Sequence, residues 1–138
     1  MNLRAILITG SILSLVWFGS MAFRPGQAFD LKASIMRGKE IYVSYCLSCH
    51  LEDGKGIENT YPPLAKSDYL IADKKRAIEQ VLHGAKGDMK VNGKTYSVEM
   101  TGFDLTDEQV SDVLNYSLNS WGNKGGVVKP EDVKNARK

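Results

Sequence analysis

Apolar residues recur at helical spacing in three stretches of this chain. From Ser34 to Tyr45, the residues Ile35, Ile41, Tyr42 and Tyr45 fall on roughly one helical side, and Gly38 interrupts that side where a partner backbone can approach closely. A first helix is expected there, running into Cys46 to His50. Asp73 is placed to cap a second helix carrying Ala77, Ile78, Val81 and Leu82, which Gly84 stops in the left-handed conformation, and Ser67 to Ile71 can add a short turn ahead of it. The strongest signal is Thr106-Asp107-Glu108-Gln109, a capping box in which the threonine oxygen and the glutamine side chain each satisfy a free backbone donor. Behind it Val110, Val113, Leu114, Leu118 and Trp121 repeat at three and four, and Gly122 ends the run.

Between these helices the pattern breaks for identifiable reasons. Leu51 to Lys66 carries Gly54, Gly56, Asn59, Pro62 and Pro63, which block any regular element. Val91-Asn92-Gly93-Lys94 is a two-residue hairpin signal, since both central residues of that turn need positive φ, so a small hairpin is expected over Met89 to Tyr96. From about residue 123 the chain reads as a polar tail with at most a short helix opening at Pro130.

The first 28 residues read as a targeting segment. Met1 to Arg4 is a short cationic start, followed by 19 uncharged residues from Ala5 to Phe23 and small residues suited to cleavage after Ala28, or after Ala22. Retention of Ala5 to Phe23 as a membrane anchor is the alternative, because 19 residues reach the length of a spanning helix. Both readings export the domain of residues 29 to 138, with the periplasm as its expected compartment.

Charge narrows the choice of partners. Arg4 and Arg24 are the only charged residues of the first 28, so the remainder carries 16 cationic against 16 acidic residues. Such a domain has no basic field for a phosphate backbone, and nucleic acid is excluded as a partner. Two cysteines are too few to staple a small secreted scaffold, so the domain needs its own core.

Those two cysteines carry the chemistry. Cys46-Leu47-Ser48-Cys49-His50 is the signature of c-type haem attachment. Two thiols three residues apart lie on one helical turn and can each add to a vinyl group of one porphyrin, while the adjacent histidine is held beneath the iron. Three other uses of the motif compete. A thiol-disulfide redox site expects a strand-and-helix context that is missing here. Zinc needs four ligands, and only His83 or a carboxylate is left to complete the set. A structural disulfide would close too short a loop to stabilise the domain much.

With one haem c per chain held by Cys46 and Cys49 and the iron bound by His50, the opposite face needs a ligand. Met100, 50 residues after His50 and followed by Thr101-Gly102-Phe103, lies in an irregular segment from which a thioether can reach the iron; otherwise it fills a gap over the porphyrin edge. Met89 belongs to the hairpin, where it packs or faces water. His83 reads as a residue interacting with the last carbonyls of its helix; as a ligand it would give a bis-histidine centre of lower potential than His/Met ligation. Met36, on the helix leading into the motif, reads as core.

Taken together, Gly38 and Tyr42 ahead of Cys46 to His50, the Pro-rich loop, a distal methionine and a final amphipathic helix resemble a class I cytochrome c over about Ser34 to Trp121. The resemblance implies an all-α fold of three to five helices around one covalently attached haem. It implies that the first and last helices cross, with Gly38 and Tyr42 meeting Val113 and Tyr116. It also implies a hydrogen bond from His50 to a carbonyl of Tyr61-Pro62-Pro63-Leu64, Pro62 first and Pro63 second, which sets tautomer and basicity. Many members with an ending like Asn119-Ser120-Trp121-Gly122-Asn123 have proline directly after the methionine, where this chain has Thr101.

The activity so implied is transfer of single electrons between redox proteins, a donor and an acceptor such as a reductase, oxidase or dehydrogenase, without catalysis. Two alternatives accompany it: a haem enzyme or gas-binding protein with an open distal iron position, and an anchored electron-transfer subunit of a respiratory or dehydrogenase complex. Contact with a membrane is expected only through an uncleaved N-terminus. The carboxylate pairs Glu52-Asp53, Asp107-Glu108 and Glu131-Asp132 read as solvated caps and turns, and Lys74-Lys75-Arg76 as an exposed helix start.

Overall fold

Asp30 accepts a hydrogen bond from the Ala33 amide at 3.1 Å and so caps helix α1 (Leu31–Tyr45). The structure, a computed structural model, describes residues 28–138. The N-terminal cleavage and anchor readings therefore lie outside the described residues. Among those described, no helix is long and apolar enough to cross a membrane.

After α1 come α2 (Leu47–His50), α3 (Asp68–Ala72), α4 (Lys74–His83), α5 (Asp107–Asn119) and α6 (Pro130–Ala136). Four short strands lie between α4 and α5: β1 (Gly84–Ala85), β2 (Met89–Val91), β3 (Lys94–Tyr96) and β4 (Met100–Thr101). The expected hairpin is the β2–β3 pair, with Met89 opposite Tyr96 and positive φ at Asn92 and Gly93. The capping box at Thr106 and the caps at Asp73 and Ser67 are all formed.

Helices α1 and α5 cross where Gly38 removes a side chain. A β-carbon there would lie 1.9 Å from the Asp112 carbonyl oxygen and 3.0 Å from the β-carbon of Tyr116. The partner of Gly38 is thus Asp112 with Tyr116, and Val113 is turned one position round the helix toward the site. Tyr42 packs on Tyr116 and Trp121, each at 5.2 Å between ring centroids. Trp121 does not extend the last helix: α5 ends at Asn119, and Trp121 takes φ +52 so that its ring folds back over Gly54.

Asp112 itself is buried, accepting from Arg37 Nε at 2.6 Å, Arg37 Nη2 at 2.8 Å and the Ser34 hydroxyl. A buried carboxylate needs such compensation, and the forked guanidinium supplies it. Met36, read as core, is 65% exposed on the outer side of α1. The side-chain order along that helix gives the inner face to Ser34, Gly38 and Tyr42 instead.

The segment from residue 123 is not a polar appendage. Val128 and Val133 are fully buried in the same core as Leu82, Val110 and Leu118. Asn115 fixes the segment by donating to the Val128 carbonyl and accepting from the Val128 amide, both at 2.8 Å. Two valines five residues apart among charged neighbours leave no visible period, which is why this part of the core escapes a pattern reading.

Candidate functional site

Helix α1 hands the chain directly into the Cys-x-x-Cys-His segment. The Cys46 amide still donates to Tyr42, and the amides of Cys49 and His50 both donate to the Cys46 carbonyl, so the two thiols and the imidazole are held on one tight turn. Leu51, at φ +61, then turns the chain away. Both cysteines are free and half-buried. Burial, with Cys49 adding to it, pushes the Cys46 thiol up to about 11. That is the opposite of the depressed value a reactive redox thiolate requires. Among the described residues no group of three or more His, Cys, Asp or Glu side chains is assembled to hold a metal ion.

The loop after the motif folds back onto it. Gly56 donates to the His50 carbonyl at 3.0 Å, and the amides of Leu64 and Ala65 both donate to Gly54. A β-carbon on Gly56, which has φ +66, would stand 2.3 Å from the Tyr61 carbonyl oxygen and 2.6 Å from that of Pro62. Only glycine leaves room for this approach. The result is that His50 Nδ1 lies 3.0 Å from the Pro62 oxygen. Because a carbonyl can only accept, Nδ1 carries the proton and Nε2 keeps its lone pair. Burial lowers the His50 pKa, and the Pro62 bond opposes this; the neutral, metal-binding form is favoured.

Above this turn lies a cavity of about 420 Å³. Cys46, Cys49 and His50 line it, as do Met89 and Met100 from the strands. Its other walls are mainly apolar: Leu64 and Leu70, Ala77 and Val81 of α4, and Val113 and Leu114 of α5. An apolar chamber with two free thiols, one oriented imidazole and thioether sulfur in its walls fits a covalently attached haem in donor chemistry and in polarity.

The distal candidates separate by position. Met100 was expected in irregular chain but forms β4, paired antiparallel with Ala85 of β1. Met89 is buried, and its sulfur accepts from Gln80 Nε2 at 3.5 Å. His83 does not line the cavity; it faces a separate, open groove with Arg76, Glu79 and Lys86. Pro63 contributes to the wall, but the bond to His50 comes from Pro62. Sequence reading missed Gln80 and Tyr69. Gln80 could have been found from its offset to Ala77 and Val81, which puts it on the cavity side of α4; Tyr69 has no such marker.

Comparison with known proteins supports the same reading. Residues 35–121 match the family model described as Cytochrome c. Cytochrome c-552 of Thermus thermophilus is 36% identical over 110 residues, covering 72% of this chain and 83% of that protein. The cytochrome c subunit of a quinone alcohol dehydrogenase from Gluconobacter oxydans is 32% identical over 103 residues, covering 72% of this chain. A gluconate 2-dehydrogenase cytochrome c subunit from Pantoea cypripedii is 34% identical over 107 residues. This chain spans only 22% and 24% of the length of those two subunits.

Proposed function

The chain belongs to the cytochrome c family, and from that premise we propose that it is an exported carrier of single electrons with its iron held between His50 and Met100. The family binds haem c covalently, and Cys46 and Cys49 stand where the attachment requires them. When bound, haem supplies one iron that changes by a single electron between its ferric and ferrous forms.

The chain's residues do the rest. Cys46 and Cys49 would hold the haem, each by adding its S–H across a vinyl double bond, which needs no oxidant. Pro62 fixes the tautomer and plane of His50, so that Nε2 is presented without reorganisation. Met100 would hold the iron through its thioether, a ligand type that favours the reduced form and raises the potential. The apolar walls from α4 and α5 exclude water and raise it further. With His50 and Met100 both holding the iron, no position would be left for substrate.

The observation that carries this reading is one cavity lined by two free thiols, a carbonyl-fixed imidazole and Met100. Absorption spectroscopy tests it: the oxidised protein should show a sulfur-to-iron charge-transfer band and the reduced protein should not respond to carbon monoxide. Prompt carbon monoxide binding would favour an open-iron enzyme or gas-binding protein. That alternative cannot use His83, the one histidine besides His50 in the sequence, since it faces outside the cavity.

A second form of the carrier reading is a module serving a dehydrogenase. The likeness to dehydrogenase cytochrome subunits favours it. The donor and acceptor are then redox proteins that meet the haem edge through a small, weak contact. Reconstitution with candidate partners at several ionic strengths distinguishes the two forms. We place the domain in the periplasm, reached through the segment 1–28, cleaved or retained as an anchor.

A further inference from the structure

The run Asn119-Ser120-Trp121-Gly122-Asn123 stands at the end of α5, and electron carriage as derived so far leaves it without a role. Its side chains reach the loop that orients His50. The Trp121 ring lies on Gly54, where a β-carbon would stand 2.6 Å from Cδ2, and its Nε1 donates to the Glu52 carbonyl at 2.9 Å. Asn123, expected at the start of a polar tail, is buried. Its Nδ2 donates to the Leu64 carbonyl at 2.9 Å and to the Ser117 carbonyl of α5 at 2.7 Å, while its Oδ1 accepts from the Lys66 amide at 2.7 Å.

These contacts grip the loop on both sides of its turn, at Glu52 and Gly54 and again at Leu64 and Lys66. Gly54 joins the two grips, since its carbonyl accepts from the amides of Leu64 and Ala65. Trp121 and Lys66 both hold φ +52, a conformation that side chains rarely adopt and that persists only where surrounding contacts impose it. Between the grips, the backbone bonds of Ile57, Thr60 and Tyr61 stay inside the loop. Pro62 stands two residues before Leu64. The ring of Pro63 fixes its own φ and restricts Pro62, so this short run is stiff and passes the position of Leu64 to the Pro62 carbonyl. That carbonyl lies 3.0 Å from His50 Nδ1.

Resting on the haem reading above, we propose that Asn123, with Trp121 beside it, is a positioning residue for His50. It holds Leu64 and Lys66 so that the Pro62 carbonyl stays within hydrogen-bonding distance of Nδ1, and it thereby sets how strongly the imidazole donates to iron. A hydrogen bond from Nδ1–H makes the ring more basic, and a more basic ligand favours the ferric form. Loosening the grip therefore raises the potential.

The test uses the haem-loaded full chain. Asn123→Ala should keep the covalent haem and the sulfur-to-iron band and raise the midpoint potential. At a fixed poise the ratio of oxidised to reduced protein should fall on the order of threefold, as expected for loosening a contact whose removal costs about ten- to a hundredfold. Trp121→Phe, which keeps a ring on Gly54 and loses the bond to Glu52, should shift the ratio in the same direction by less. In proton NMR of the reduced proteins the His50 Nδ1 hydrogen should exchange with water faster in both variants, by roughly tenfold in Asn123→Ala. Val133→Ala, a core deletion away from the loop, should leave the potential unchanged and so separates positioning from lost stability. An unaltered potential in folded Asn123→Ala, or an equal shift in Val133→Ala, would overturn the proposal. Where Asn123→Ala fails to fold, Trp121→Phe decides by the same comparison. A wild-type protein without covalent haem would instead remove the reading on which the assignment rests.

Discussion

Gly84 and Met100 meet backbone to backbone: a β-carbon on Gly84 would lie 2.2 Å from the Met100 carbonyl oxygen. Gly102 repeats the device from the other strand, where a β-carbon would be 2.6 Å from the Leu82 carbonyl oxygen. Two glycines thus let β4 close onto the end of α4, and that closure sets the height of the Met100 side chain over the cavity. Gly84 also has φ +82 with ψ −177, an extended positive-φ conformation essentially reserved to glycine, so alanine is strained there by about 1 to 3 kcal/mol before any clash is counted. Gly84→Ala should lower the unfolding midpoint in denaturant, weaken the sulfur-to-iron band and let carbon monoxide bind the reduced protein. A band of full strength in a folded Gly84→Ala protein would show that Met100 does not depend on this closure.

The two cavity methionines should differ in kind. Met100→Ala should abolish the band and lower the potential, because the thioether that favours ferrous iron is lost. Met89→Leu should keep the band, since the Met89 sulfur is engaged by Gln80 and leucine conserves the packing volume. The spectra of the two oxidised variants, compared side by side, check this.

The crossing of α1 and α5 has no slack. Alanine at Gly38 would drive its methyl into the Asp112 carbonyl 1.9 Å away, and backbone cannot yield as a side chain can. Gly38→Ala should cost roughly 3 kcal/mol or more, within the range of severe overpacking. Equilibrium denaturation of the haem-loaded protein measures it.

The C-terminal segment should behave as core. Val133→Ala removes two fully buried methyl groups and should destabilise by about 2 kcal/mol. Asn115→Ala would leave the buried Val128 amide without a partner and its carbonyl with the Ser111 hydroxyl alone, and should cost a similar amount. Thermal unfolding of both variants should show the loss, while their spectra stay unchanged because neither residue lines the cavity.

These cases also mark what can be read from residue order. Elements defined by local chemistry were legible: the capping box at Thr106, the Asn92-Gly93 turn, the stop at Gly84, and the five-residue motif with its two thiols and imidazole. The His50 to Pro62 bond was legible through likeness to a family, and its physical reason, the open space at Gly56, appears only in three dimensions. What could not be read were pairings between distant segments. Asp112 looks like any polar helix residue until Arg37 and Ser34 are brought to it from 75 and 78 positions away. Trp121 fits the helical period, yet Gly54 and the Glu52 carbonyl draw it out of the helix. Arg76 reads as one of three exposed cations, yet it stacks on Tyr69.

A porphyrin bonded through sulfur to Cys46 and Cys49 is tested most directly by extracting the purified, exported protein with acidified organic solvent. The pigment should remain with the polypeptide, and the denatured chain should carry the mass of one haem. A colourless protein, or one whose pigment passes into the solvent, would contradict it.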